Sequence, residues 1–558
     1  MERGSLWLWL LFLGVTAAVV FPWFVEPGFL FLLDFVWTPV HPWPTETLRE
    51  GLITSVPHEA VFALLAHVLP SPLVQKLAFS LPFLLSGVSL AHLVRWLCRH
   101  SPGRATDLAA LTAGLFYALN PFVVTRVFMG QYYLLLAYAL TPWAVLAAFR
   151  FLDRPTRRTA LGAGLWAVSV ILTNAHHVVF VPLILLPLIV RRRTPALPWR
   201  MSAWALAPLV IIGLVGGIVA AQGTHSVALN ALGPHARALQ APETGNLLVD
   251  AFTLTATWKT DLPFVFPHEL LPQFGVSMAG LFMVMGLGAW WMWREPTGGP
   301  IVRRLLLVAA VSAVVAIGVA HPLTEPLAAF LYRHVPFALA LRDSAKFLSL
   351  VALTESVLLG LGVVALGRIA ATNGRLRSVR LAVQIVILLI TLYLTSPAIA
   401  GFSGQIAVRE YPKSWAEWNE RLAQEDKVRM LFLPWHQYLP FSFTDDRTVV
   451  NPAGRYFTAA DVISGDNSEV GGTSGRPFVP SESLRPLSRR IEDALAKARN
   501  GAPLSPALRT ESIRFVALAM DTLDADEHRF LFDDPGLRVV FEQPELTVWE
   551  VTEPRPQK

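Results

Sequence analysis

Stretches of about twenty apolar residues recur along the chain, and nothing constrains its fold more. Each is long enough to cross a bilayer as a helix, the form in which a segment satisfies its own backbone hydrogen bonds away from water. Eleven such windows fall at about 5–24, 72–97, 107–125, 131–151, 158–173, 175–191, 203–222, 275–294, 302–320, 346–367 and 379–399. Composition agrees: 54% of the 558 residues are hydrophobic and 15% charged, where soluble domains carry about 25% charged residues. The first window is longer than a signal-peptide core and no small-residue cleavage site follows it, so it reads as a retained span. The fold class expected is a polytopic α-helical membrane protein of about eleven transmembrane helices.

The connections orient the bundle. Arginines gather in alternate loops: Arg95, Arg99 and Arg104; Arg150, Arg154, Arg157 and Arg158; Arg191, Arg192, Arg193 and Arg200; Arg294, Arg303 and Arg304; Arg368, Arg375, Arg377 and Arg380. The short loops around Arg126 and Asn174 carry a single arginine. The positive-inside rule then puts the N-terminus in the cytoplasm and loops 25–71, 223–274 and 321–345 outside, with everything after residue 400. The net charge of +6 is thus spent on topology anchors. It is not a basic stripe with interleaved aromatics, and nucleic acid is excluded as a partner. A single cysteine, Cys98, leaves no intrachain disulfide to hold an external domain.

Beyond residue 400 the composition becomes that of a soluble domain. "KVRMLFLPW", "IRFVALAM" and the pair "LRVVFEQ"/"LTVWEVT" predict strands, the pair a hairpin across Pro544 and Glu545. "SWAEWNERLAQ" and "LSRRIEDALAKARNG" predict helices, the second stopped by Gly501. The division expected is a membrane domain over 1–400 and an extracytoplasmic α/β domain over 401–558.

The stretch "FVEPGFLFLLDFVWTP" (24–39) sets Glu26 and Asp34 among Phe, Leu and Trp where the first span ends. An acid is costly so close to hydrocarbon and marks a functional candidate. The plain alternative is that Asp34 caps a short helix lying on the membrane. One span from the cytoplasm, an acid opening the first external loop, a juxtamembrane segment there ("TETLREGLITSVPHEAVFALLAHVL"), then a multi-span bundle and an external α/β domain together resemble a GT-C fold glycosyltransferase. The resemblance is best up to about residue 222 and architectural beyond it. It implies transfer of a sugar from a polyprenyl-phosphate donor to an extracytoplasmic glycan, lipid or protein acceptor, with inversion and with Asp34 as general base. Glu26 is the lesser candidate. The second external loop, "TRVFMGQYYL", lacks the acid the family often carries there, so the sequence does not support a divalent cation, and no cofactor is assigned.

A lipid phosphate needs cations at the outer leaflet. Arg126, Arg342 and Lys346 stand there, against the alternatives of snorkelling anchors or an Arg342–Asp343 pair. Gln131, Tyr132 and His177 are candidates for the sugar or acceptor, against an aromatic belt for Tyr132. His176 and His177 are adjacent with no third ligand spaced nearby, which argues against a metal. His436 reads as a packed or solvated histidine. Two other classes stay open: a non-catalytic assembly protein whose external domain binds a partner, and a transporter or lipid flippase, for which the spans hold few charges.

Overall fold

The computed structural model describes residues 6–41, 43–45, 56–100, 103–189, 199–222, 240–241, 244–258, 271–295, 298–335, 338–341, 343–372, 379–425, 428–466, 485–522 and 524–552. Its helices in the first 400 residues are α1 (Leu6–Val25), α2 (Val56–Ala66), α3 (Ser71–Leu97), α4 (Arg104–Leu119), α5 (Pro121–Phe128), α6 (Tyr132–Asp153), α7 (Arg157–Thr173) and α8 (His177–Ile189). There follow α9 (Trp199–Gln222), α10 (Leu247–Phe252), α11 (Leu271–Arg294), α12 (Gly298–Ile317), α13 (Glu325–His334), α14 (Leu348–Thr372) and α15 (Arg380–Thr395). Among the described residues, eight helical stretches are long and apolar enough to cross a membrane. They are α1, α3, α4 running on into α5, α6, α11, α12, α14 and α15. Of the further spans expected at 158–173, 175–191 and 203–222, the described residues form α7, α8 and α9, which fall short of that measure. The chain is a multi-pass membrane protein.

The bundle is built around α14, whose apolar window is wholly buried. It packs against α4, α11 and α12. Small residues set the spacing: a Cβ on Gly362 would lie 2.1 Å from the Val284 carbonyl, and one on Gly288 would lie 2.4 Å from that of Leu358. Helix association in lipid rests on such close backbone approach, because hydrocarbon supplies no hydrophobic drive. Helix α1 lies at the rim with Leu10, Leu13 and Phe21 exposed, as a surface facing lipid tails requires.

The C-terminal region holds the strands expected from sequence. Strands β3 (Val428–Leu433), β7 (Phe515–Ala519), β8 (Leu537–Gln543) and β9 (Leu546–Val551) join β6 (Ala460–Ile463) in one sheet of order β6-β3-β7-β9-β8. Strand β3 runs parallel to β6 and β7, and β9 closes the sheet antiparallel to β7 and β8. Helices α16 (Lys413–Leu422) and α17 (Pro486–Arg499) cover it, and Gly501 follows α17 at φ +92°. A second small sheet pairs β4 (Tyr438–Pro440) with β5 (Thr448–Val450).

Contacts between residues far apart in the chain stitch the two regions together. Strand β1 (Phe29–Leu30), right after the first span, pairs antiparallel with β2 (Val408–Arg409), right after the last. The buried Gln75 side chain of α3 accepts from Leu30 N at 2.8 Å and donates to Leu30 O at 2.8 Å, standing in for a strand on the other side. Trp23 Nε1 donates to Ile406 O, and Tyr411 Oη to Trp37 O. The residues that follow the first span, 29–37, are therefore clamped between the span ends and the C-terminal region.

A candidate active site at the seam

Asp34 sits at the tip of a tight reversal. Leu32 and Phe35 exchange backbone hydrogen bonds of 3.2 and 3.0 Å, leaving Leu33 and Asp34 as the two turn residues. Phe31, Phe35 and Trp37 are buried beneath the turn, with Phe35 stacked on Phe79 of α3 at 4.6 Å. The turn itself explains this: the residues on both sides of it, Phe31, Leu32 and 35–38, are buried and anchor the loop, which leaves Leu33 and Asp34 at the tip. The tip is held from both sides. Asp34 N donates to Met129 O at 3.1 Å, and Val450 N of β5 donates to Leu33 O at 2.8 Å. Gly130, at φ +67°, makes room, since a Cβ there would come within 2.6 Å of Phe35 N. The Asp34 carboxylate is exposed and accepts from Tyr438 Oη of β4 at 2.9 Å. It caps no helix, because residues 35–41 are non-helical; the capping reading is overturned.

Beside this turn a chain of polar side chains runs through the protein. Arg126, fully buried in α5, reaches Asp343 Oδ2 at 3.3 Å and Gln131 Oε1 at 3.0 Å. Gln131 Nε2 also approaches Asp343 Oδ2, at 3.4 Å. Lys346 Nζ lies 3.6 Å from the same carboxylate and 3.2 Å from His176 Nε2. An ammonium only donates, so His176 accepts at Nε2 and carries its proton at Nδ1, facing Asn174 Oδ1 at 3.1 Å. Three turns that are distant in sequence, around Gln131, Asn174 and Asp343, thus meet at one place.

The structure sorts the sequence candidates. Asp34 is an exposed carboxylate at the seam between the two regions. Glu26 is exposed at the end of α1, and its backbone carbonyl accepts from Lys76 Nζ at 2.7 Å. Arg126, Gln131, Lys346 and the His176–His177 turn converge. Three expectations change. Arg126 was expected at a water-facing end and is 0% exposed, because Asp343 draws it inward as a counter-ion. Tyr132, expected to face a sugar, is 1% exposed and enclosed by Phe35, Phe62 and Phe79. His177, also 1% exposed, packs on Phe180 and turns Nδ1 to Asn174. Arg342 lies outside the described residues. His436 faces Asp524 at 3.6 Å in the C-terminal region. Among the described residues no three His, Cys, Asp or Glu side chains stand together as metal ligands.

Tyr438, Asn174 and His176 were missed as partners, and Asp343 was weighed only against its neighbour in sequence. The signals were faint: a tyrosine two residues after His436 in "PWHQYLPF", and an asparagine in an otherwise apolar turn.

A second group borders the loop. His41 stacks on Trp37 at 4.6 Å, and His58 of α2 lies against Tyr133 at 4.1 Å. Burial, with the Arg455 guanidinium adding to it, lowers the His41 imidazole to about 4; burial alone lowers His58 to about 4. Both are held neutral.

No protein-family model matches the sequence, and no curated protein sequence matches it. Solved structures do match in shape. The arabinofuranosyltransferase AftD from Mycobacteria superposes with TM-score 0.63 at 17% identity over 98% of this chain, and a mutant of it with TM-score 0.60 at 17% identity over 98%. The chain has the GT-C fold. It spans about 40% of the length of the AftD structure.

Proposed function

We propose that this protein is a membrane glycosyltransferase that moves a sugar from a polyprenyl-phosphate donor to an acceptor at the extracytoplasmic face, with Asp34 as general base. The observation that carries the reading is the pairing of one exposed, anchored carboxylate with a built cationic cluster beside it. In this orientation the N-terminus is cytoplasmic, and residues 401–558 form the external domain that completes the site over the membrane.

The Asp34 carboxylate takes the proton of an acceptor hydroxyl as that oxygen attacks the anomeric carbon. The bond from that carbon to the phosphate oxygen breaks in the same displacement, and the configuration inverts. The Tyr438 hydroxyl orients the carboxylate. Charge that develops on the departing polyprenyl phosphate is met by Lys346, which Asp343 and His176 hold in place, with the buried Arg126 behind them. Gln131, half-buried beside the cluster, is the polar group offered to the sugar. The general-base step is worth about 10² to 10⁴ in rate.

The matched solved structure is that of an arabinofuranosyltransferase, so a pentofuranosyl donor is the first to assay. Purified protein in proteoliposomes should transfer radiolabelled sugar from a polyprenyl-phosphate donor to an added glycan and release polyprenyl phosphate. Protein that neither transfers nor hydrolyses pentosyl or hexosyl donors of this type would contradict the reading.

A further inference from the structure

At the end of the bundle away from the C-terminal sheets lies a cavity of about 880 Å³ among α3, α4, α6 and α7. Its wall carries four arginines, Arg95, Arg99, Arg150 and Arg158, against one carboxylate, Asp107. Two of the arginines are neutralised: Arg95 pairs with Asp107 at 3.5 Å and Arg99 with Asp153 at 2.8 Å. Arg150 and Arg158 make no ion pair with any described residue, and both are exposed. Topology anchors would need only to face water. These two instead border a half-open cleft with aromatic walls, where Trp143 and Trp166 stand 5.3 Å apart.

A buried donor stands at the same wall. Trp143 Nε1 donates to His92 Nδ1 at 3.2 Å. Indole nitrogen only donates, so His92 accepts at Nδ1 and carries its proton on Nε2. That Nε2 is buried without a hydrogen-bond partner among the described residues, an unfavourable state for a buried N–H. Two spare guanidiniums, an unsatisfied N–H and an indole-lined space form a receptor for an anion with an apolar body. Guanidinium matches phosphate oxygens in a bidentate way, and basic pockets between spans on the cytoplasmic side hold anionic lipid headgroups.

We propose that this cavity binds a phosphate group, supplied by the headgroup of an anionic phospholipid in the adjacent leaflet, which is the cytoplasmic leaflet in the orientation proposed above. Arg150 and Arg158 take the phosphate oxygens, His92 donates from Nε2, and the tryptophans pack on the glycerol and upper acyl chains. The proposal concerns binding, so it stands or falls apart from sugar transfer.

The test uses the full chain in neutral detergent, with lipid occupancy read by native mass spectrometry against added phosphatidylglycerol, phosphatidylcholine or inorganic phosphate. Phosphatidylglycerol should be retained in preference to phosphatidylcholine. Arg150→Gln with Arg158→Gln should weaken its binding by about tenfold or more. Arg303→Gln, which removes an arginine not lining this cavity, should leave it unchanged. Arg158→Gln alone, at an exposed position, keeps the test open if the double variant misfolds, with a smaller loss in the same direction. Retention unaffected by either Arg158 variant would overturn the proposal. Binding of inorganic phosphate that phosphatidylglycerol does not displace would assign the site to a soluble phosphate and overturn the lipid source.

Discussion

Asp34 and Asp343 are both acids where the spans meet the C-terminal region, and the protein treats them in opposite ways. Asp343 is 4% exposed and faces Arg126, Gln131 and Lys346. Asp34 is exposed and receives a hydroxyl from the other region of the molecule. A carboxylate locked to buried cations is a counter-ion whose loss strands charge. In the proposed function the exposed carboxylate, held through its backbone and by Tyr438, is the one that takes the proton. Burial, not residue type, divides the two acids.

The largest effect that would sharpen this contrast lies on the buried side. Arg126→Gln leaves Asp343 facing one cation fewer, and breaking a buried pair costs about 3–5 kcal/mol. Thermal unfolding should drop sharply, and adding Asp343→Asn should recover part of the loss. A variant melting like the wild type would break the distinction, because the buried Arg126–Asp343 pair would then contribute nothing to the fold.

Next in size is the acid response of the wall beside Asp34. An imidazole kept neutral in the fold protonates readily in the unfolded chain, from its ordinary value of 6.5 downward. The stability that His58 contributes is therefore full above about 6.5 and is lost as the pH falls toward 4, at most about 3 kcal/mol. His58→Phe should flatten that decline in melting temperature. A decline of unchanged slope would show that His58 is protonated without cost. Smaller again is Tyr438→Phe, which removes one hydroxyl from a half-exposed bond worth about 1 kcal/mol. Transfer should fall about fivefold with the melting temperature unchanged, and a shift in melting without loss of rate would make Tyr438 a fastener of the two regions.

Most of the membrane architecture was legible because hydropathy and arginine placement are strong, local signals. The β3, β7 and β8–β9 strands and helices α16 and α17 were legible for the same reason: alternation and period act within a dozen residues. The seam was not. The β1–β2 pairing joins residues 29–30 to 408–409, two-residue strands with no pattern of their own. The site followed the same division. Asp34 stood out as an acid in an apolar run, and Arg126 as an arginine on the wrong side. That Arg126 would turn inward to Asp343, 217 residues away, depends on how α5 and α14 pack. Tyr132 misled because tyrosine at a span end suits a wet belt and a dry core equally well.

Whether Asp34 or Asp343 accepts the proton in sugar transfer is decided by transfer rate and melting temperature for Asp34→Asn and Asp343→Asn in the same proteoliposomes. Asp34→Asn should melt like wild type and lose about 10² to 10⁴ in rate. Asp343→Asn should melt lower and, because Asp343 only positions Lys346, lose far less rate per folded molecule than Asp34→Asn does. Full transfer by Asp34→Asn, or loss of the chemical step in a stably folded Asp343→Asn, would contradict Asp34 as the base.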